Sequence, residues 1–184
     1  TSTATRTAIV TATPTPTALV SNQPPIVPRV DATLKSRLRT VYGNGQATGN
    51  RASVFAKIGD SITESGSFLV DIGCGAENLG AYTSLAPTVN FFRSTTFSVN
   101  WASAWCEIAN SMTANSPSAV SGWSADYAVN SAYLDPVYAS ICPAPFNTPL
   151  ACELRRKKPS IALIMYGTND LERYNDVSAF RASM

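Results

Sequence analysis

Two apolar runs with the same ending constrain this chain more than any other feature. The first is Val54-Phe-Ala-Lys-Ile58, followed by Gly59-Asp60-Ser61-Ile62-Thr63. The second is Ile161-Ala-Leu-Ile-Met-Tyr166, followed by Gly167-Thr168-Asn169-Asp170. A short apolar run without polar alternation reads as a strand covered on both faces. Each run stops at a glycine, which permits a sharp turn, and then becomes polar. In a parallel sheet both polar ends lie along one edge, and in open α/β sheets that edge is where ligands bind. The pattern predicts strands near residues 53–58 and 161–166, with a middle strand ahead of Gly122. Right-handed crossovers would place helices on both faces.

Ser61, at a strand's carboxyl end, is a candidate nucleophile wherever a nearby group accepts its proton. Asp and Ser are also favoured helix N-caps. Asp60-Ser61 taken alone leaves both readings open.

Together the two runs resemble the GDSL or SGNH hydrolases. Gly59, Asp60, Ser61, Ile62 and Thr63 match that family's Gly-Asp-Ser-x-Ser/Thr block, and Gly167, Thr168, Asn169 and Asp170 match its Gly-x-Asn-Asp block. The resemblance covers about residues 52–184. It implies an α/β fold of three layers, αβα, with a parallel sheet of flavodoxin-like type. It implies an ester hydrolase acting on acyl or acetyl esters, with Ser61 as nucleophile. The oxyanion hole would comprise the Ser61 N–H, a glycine N–H and the Asn169 amide, and such donors are each worth about 10²–10³ in rate. Gly122, after the short piece Ser118-Ala-Val-Ser121, is the candidate glycine. The lone-glycine alternative is a simple turn. Asp60 and Asp170 read as supporting carboxylates that bond nearby backbone N–H groups. Tyr166 and Thr168 read as structural.

The chain departs from the family in one respect. The family's Asp-x-x-His block supplies the base, and this chain contains no histidine. The expectation is a C-terminally truncated domain with one bare sheet edge, the alternative being a protein that has lost the base, and on either reading the chain is nearly inactive by itself. Loss of a triad histidine costs on the order of 10⁶ in kcat.

Residues 1–30 are a different material, rich in Thr, Ala and Pro and including Thr13-Pro-Thr-Pro-Thr17. Such a tract buries too little apolar surface to offset its ordering entropy and reads as a disordered linker. The α/β domain would then occupy 31–184, with a first docked segment running over 27–41 across its boundary and a turn at Gly43-Asn44-Gly45. Gly66, Gly73, Gly75 and Gly80 predict a long loop after Ser61. Helices are predicted over 83–92, 101–113 and 125–134, the last capped by Ser124. A further helix over 149–158 has Thr148 as N-cap and Pro149 in its first turn. A last one begins near Asn175.

The net charge of +2 gives no reason to propose a nucleic-acid partner. Arg155-Arg-Lys-Lys158 reads as the basic end of a helix. No apolar segment approaches membrane-spanning length. The four cysteines favour the pairs Cys142–Cys152 and Cys74–Cys106. Zinc ligation is opposed by the absence of a Cys-x-x-Cys spacing, and buried free thiols by the Thr/Pro tract. With that tract the cysteines predict an extracellular or cell-surface protein without metal or cofactor. Two functions of different class follow. One is a secreted esterase with a small-molecule or carbohydrate ester as substrate. The other is a non-catalytic carbohydrate-binding or surface-display module on the same fold. A nucleotide-binding loop is disfavoured, because no Gly-x-Gly-x-x-Gly follows either strand.

Overall fold

The structure is a computed structural model that describes residues 29–98 and 105–183. Most of the expected linker, and Trp101–Ala104 of the expected 101–113 helix, lie outside the described residues. The chain divides into two units, Thr1–Arg37 and Leu38–Met184. In the first, Asp31 Oδ1 accepts the Leu34 N–H at 2.7 Å and so opens helix α1, Ala32–Ala47.

The turn expected at Gly43-Asn44-Gly45 is instead part of α1. A helix tolerates an interior glycine at a cost of about 1 kcal/mol. The glycine that ends α1 is Gly49, at φ +87°, where a left-handed residue closes the helix and Asn50 N–H returns to the Gly45 carbonyl.

Strand β1 is Arg51–Gly59, and β1 is buried from Val54 to Gly59, as an apolar run covered on both faces requires. It pairs in parallel with β2, Pro159–Met165, placing Ala56 opposite Ala162 and Gly59 opposite Met165. These two strands form the sheet among the described residues. The expected middle strand is reduced to one parallel bridge, Ala119 to Gly59. The chain is thus a mixed helix and strand protein with a small parallel sheet. β2 keeps its apolar sequence but not its cover, and Ile164 is 66% exposed.

After β1 come two short helices, α2 (Ser61–Glu64) and α3 (Val70–Cys74), where a continuous loop was expected. The 83–92 helix is realised as a 3₁₀ turn, Gly80–Leu85, followed by α4, Ala86–Arg93, with Pro87 in the first turn of α4. Phe92 of α4 meets Phe55 edge-on at 5.5 Å.

No helix forms over 105–113. The Asn110 side chain takes the Met112 and Thr113 N–H groups at 3.0 and 3.3 Å and donates to the Gly73 carbonyl at 2.9 Å. An Asn that satisfies local backbone groups in this way competes directly with a helix. Asn130 likewise splits the expected 125–134 helix into two 3₁₀ turns, Ala125–Val129 and Ser131–Tyr133, by accepting the Ala132 N–H.

A four-residue helix, α5 (Pro136–Ala139), precedes α6, Pro149–Lys157. In α6, Thr148 Oγ1 accepts the Ala151 N–H at 3.2 Å, Pro149 sits in the first turn, and left-handed Lys158 ends the helix before Pro159. Arg51 of β1 donates from Nε to the Lys157 carbonyl at 2.9 Å, placing a cation on the helix C-terminus. Helices α7 (Thr168–Tyr174) and α8 (Val177–Ser183) close the chain. Both expected disulfides are present, with Cα separations of 5.8 Å for Cys74–Cys106 and 5.4 Å for Cys142–Cys152. No described helix is long and apolar enough to cross a membrane.

The basic end of α6 holds a buried charge group. Lys157 and Glu153 are fully buried and pair at 2.8 Å, and Lys57 of β1 is only 4% exposed. Lys57 Nζ donates to the Met112 carbonyl at 2.8 Å. Burial first, and then the Lys157 charge, pull the Lys57 amine down from 10.5 to about 8, with Glu153 opposing the shift. Between those two values the unfolded chain holds a proton that the folded chain has released. Stability therefore rises with pH across that window, and the penalty is complete below it. Replacing Lys57 by Met removes the titration. The difference in unfolding free energy between wild type and Lys57→Met is expected to change by on the order of 3 kcal/mol between pH 7 and 10.5. Urea denaturation of both proteins at a series of pH values measures this. A difference that stays flat with pH contradicts it.

Candidate active site

Three segments meet at the carboxyl ends of the two strands. Gly59, the last residue of β1, donates its N–H to the Ser118 carbonyl at 2.9 Å and accepts the Val120 N–H at 3.2 Å. The segment 118–124 is thereby stitched to the strand end. The third segment, Tyr166–Asp170, leaves β2 and enters α7.

Gly59 is glycine for want of space. A Cβ here would lie 2.5 Å from the Met165 carbonyl oxygen and 2.8 Å from Thr63 Cβ, and would also strike Thr63 Oγ1. The glycine thus seats α2 directly on the strand end, a close-approach role where the sequence had indicated a turn. Gly122 and Gly167 are glycines for the other reason, with φ of +78° and +132°.

Asp60 is the N-cap of α2. Its Oδ1 accepts the Ile62 N–H at 3.2 Å. Ser61 is the first residue of that helix and is exposed. It opens on a shallow hollow of about 360 Å³ shared with Ile62, Ser65 and Phe68. Asn169, in the first turn of α7, donates from Nδ2 to the Trp123 carbonyl at 3.0 Å and to Asp60 Oδ2 at 3.4 Å. One side chain therefore ties the residue beside Ser61 to the residue beside Gly122.

Asp170 is fully buried, and its Oδ1 accepts the Ala125 N–H at 2.9 Å. This is a cross-link between distant segments, where a local turn bond had been expected. It also takes the place of the Ser124 cap, since Ser124 makes no side-chain cap bond. Glu64, three residues beyond Ser61, accepts the Ser121 N–H at 2.7 Å. Tyr166 donates from its hydroxyl to the Ser118 carbonyl at 3.1 Å, and burial pushes this phenol up to about 12, the Asp60 and Asp170 charges adding to the effect.

The residues missed from the sequence are Glu64, Trp123 and Lys57. Glu64 carries no local signal, because its partner Ser121 lies 57 residues away. Trp123 contributes a carbonyl, which no side-chain pattern announces. Among the described residues, no group of three or more His, Cys, Asp or Glu stands close enough to hold a metal ion.

Comparison with protein-family models, with curated proteins and with solved structures finds no match to this chain.

The two kinds of glycine predict different costs. Gly59→Ala forces a backbone or α2 shift and is expected to lose about 1–3 kcal/mol or more. Gly122→Ala meets no atom within 4 Å and suffers only the left-handed backbone strain, about 1–2 kcal/mol. Gly122→Asn should recover part of that loss, because Asn tolerates the left-handed region, while Gly59→Asn should not. Denaturant midpoints of the four variants check the ranking. A Gly59→Ala protein as stable as wild type would remove the close-approach explanation.

Proposed function

We propose that the chain carries the nucleophile and oxyanion elements of a secreted SGNH-type serine ester hydrolase acting on acyl or acetyl esters. The observation that supports this most is the Asn169 amide, held between Asp60 and Trp123 at the strand ends. In this reading Ser61 Oγ attacks the ester carbonyl, its proton passes to solvent base, and the ester C–O bond breaks to release the alcohol and leave acyl-Ser61. The developing oxyanion is met by the Ser61 and Gly122 N–H groups and by Asn169 Nδ2. Asn169 has two N–H bonds, and the 3.4 Å contact to Asp60 is the weaker of the two it makes. That hydrogen is the one an oxyanion would take over. Asp60 and Asp170 act by position, the first by capping α2 and the second by fixing segment 118–124 through Ala125. The three-layer αβα arrangement of that family is part of the same proposal. The two disulfides accord with an extracellular location.

The chain holds no histidine, so nothing of that kind activates either Ser61 or a hydrolytic water. Acylation by an activated ester would then be slow, and deacylation slower still. This makes the acyl-enzyme, rather than turnover, the quantity to measure. Incubation of residues 1–184 with p-nitrophenyl acetate at mildly alkaline pH, followed by peptide mass mapping, should find acetyl on Ser61 well ahead of Ser65 and Ser67. Asn169→Ala should lower the Ser61 acetylation rate by about 10²-fold, because the lost donor serves the oxyanion. Ser61 acetylated no faster than its exposed neighbours, in a folded protein, would sink the hydrolase reading in favour of a binding module.

A further inference from the structure

A cleft of about 420 Å³ in the second unit shares α2 with the Ser61 hollow, which Ser61 and Ile62 line. Thr63 and Glu64 of α2 form one wall, and Trp123, Tyr133 and Tyr138 contribute aromatic surface. Lys57 reaches it from β1, and Asn115, Ser116 and Asp135 bring further polar groups.

The aromatic wall is built before any ligand arrives. Tyr133 stacks on Tyr127 at 4.0 Å with 9° between the rings, and Trp123 meets both edge-on at 6.0 and 6.2 Å. The Arg173 guanidinium covers Tyr127 at 4.7 Å and pairs with Asp126 at 3.3 Å. The stack is therefore Arg173, Tyr127, Tyr133, and Tyr133 at its end is still 37% exposed. Rings fixed in this way lose little freedom when something packs against them.

The charges in the cleft narrow the chemistry. One cation, Lys57, is accompanied by two carboxylates, Glu64 and Asp135. Each carboxylate already spends an oxygen on a backbone N–H, Glu64 on Ser121 and Asp135 on Val137. Lys57 uses one of its hydrogens on the Met112 carbonyl. Donors and acceptors are mixed, and no single charge dominates. A polyanion finds too little positive charge here, and an acyl chain would leave the polar groups unmet. The ligand that matches has apolar C–H faces for the rings and hydroxyls around its rim that both donate and accept.

We infer that this cleft is a subsite for a neutral pyranoside ring, and that the alcohol part of the ester substrate is a neutral saccharide. The first half stands on the cleft. The second rests on the hydrolase reading of Ser61, because α2 contributes residues to both hollows. Segment 118–124 serves both, with Trp123 offering its ring to the cleft and its carbonyl to Asn169.

The test is calorimetric titration of the full 184-residue chain with neutral oligosaccharides, namely cellotetraose, xylotetraose and chitotetraose. At least one should bind. Tyr133→Ala should weaken it by about tenfold or more, and Tyr138→Ala likewise. Tyr82→Ala, exposed and outside the cleft, should leave it unchanged. Trp123→Leu is a further check, and Tyr133→Ala decides the matter if that variant fails to fold. Failure of all three sugars to bind a folded protein at tens of millimolar overturns the proposal, as does binding indifferent to Tyr133 and Tyr138. Ser61→Ala separates the two readings. Binding kept in Ser61→Ala together with no preferred acetylation of Ser61 in wild type retains the saccharide subsite and discards the hydrolase.

Discussion

The absence of a side chain at Gly59 is the constraint on which the site depends. The residue is hemmed by the Met165 carbonyl on β2, by Thr63 on α2, and by two backbone bonds to Ser118 and Val120. Three other pieces of chain therefore meet β1 at one α-carbon. Each of them carries something chemical within a few residues: Ser61 on α2, Gly122 and Trp123 on the loop, Asn169 beyond β2. A single Cβ would separate α2 from the strand end and carry Ser61 away with it. The glycine of a Gly-Asp-Ser block is here a packing residue first, and the positive-φ glycines, Gly122 and Gly167, do the turning.

The buried charges make the other half of the scaffold specific. Glu153 and Lys157 lie one turn apart on α6 in an order that favours their pairing, and both are taken wholly out of water. Desolvation costs such a pair most of what its Coulomb attraction returns, so the pair is a poor source of net stability. Its effect is on placement. Lys57 from β1 feels both charges, Lys157 opposing and Glu153 favouring its charged form, so it is the group through which the pair senses the position of α6 on the strand. The Arg51 contact to the Lys157 carbonyl fixes the same helix end from the start of the strand.

What could be read from the sequence was local and repetitive. The two apolar runs gave both strands, because each is too short for a helix and is cut off by a glycine. Thr148-Pro149 and Pro159 bracketed α6, and the cysteine spacing pointed to both disulfides. What could not be read was set by side chains acting on distant or competing backbone. The Trp105–Thr113 spacing looks helical until Asn110 turns its amide on the chain, and periodicity does not register that competition. Asn130 does the same to the 125–134 segment. The middle strand shrank to a bridge because its pairing is limited to the single position at Gly59. At the candidate site, the resemblance singled out Ser61, Gly122 and Asn169. It was silent on the links between their segments, since Trp123 acts through a carbonyl and Glu64 and Asp170 through partners 57 and 45 residues away.

Those links bear on how an oxyanion hole could be held ready in this chain. An amide donor is useful to a transition state only if it is already aimed, because aiming it during the reaction would consume part of what it returns. Asn169 is aimed by the Trp123 carbonyl, which takes one of its two hydrogens and sets the plane of the group. The other hydrogen faces Asp60 Oδ2 at a distance long enough to be given up. Asp60 can give it up without being stranded, because its Oδ1 remains engaged by the Ile62 N–H. The same Trp123 ring lines the polar cleft. A ligand pressing on that ring would act on the residue that orients Asn169, so Trp123 is one of the residues that join the cleft to the strand ends.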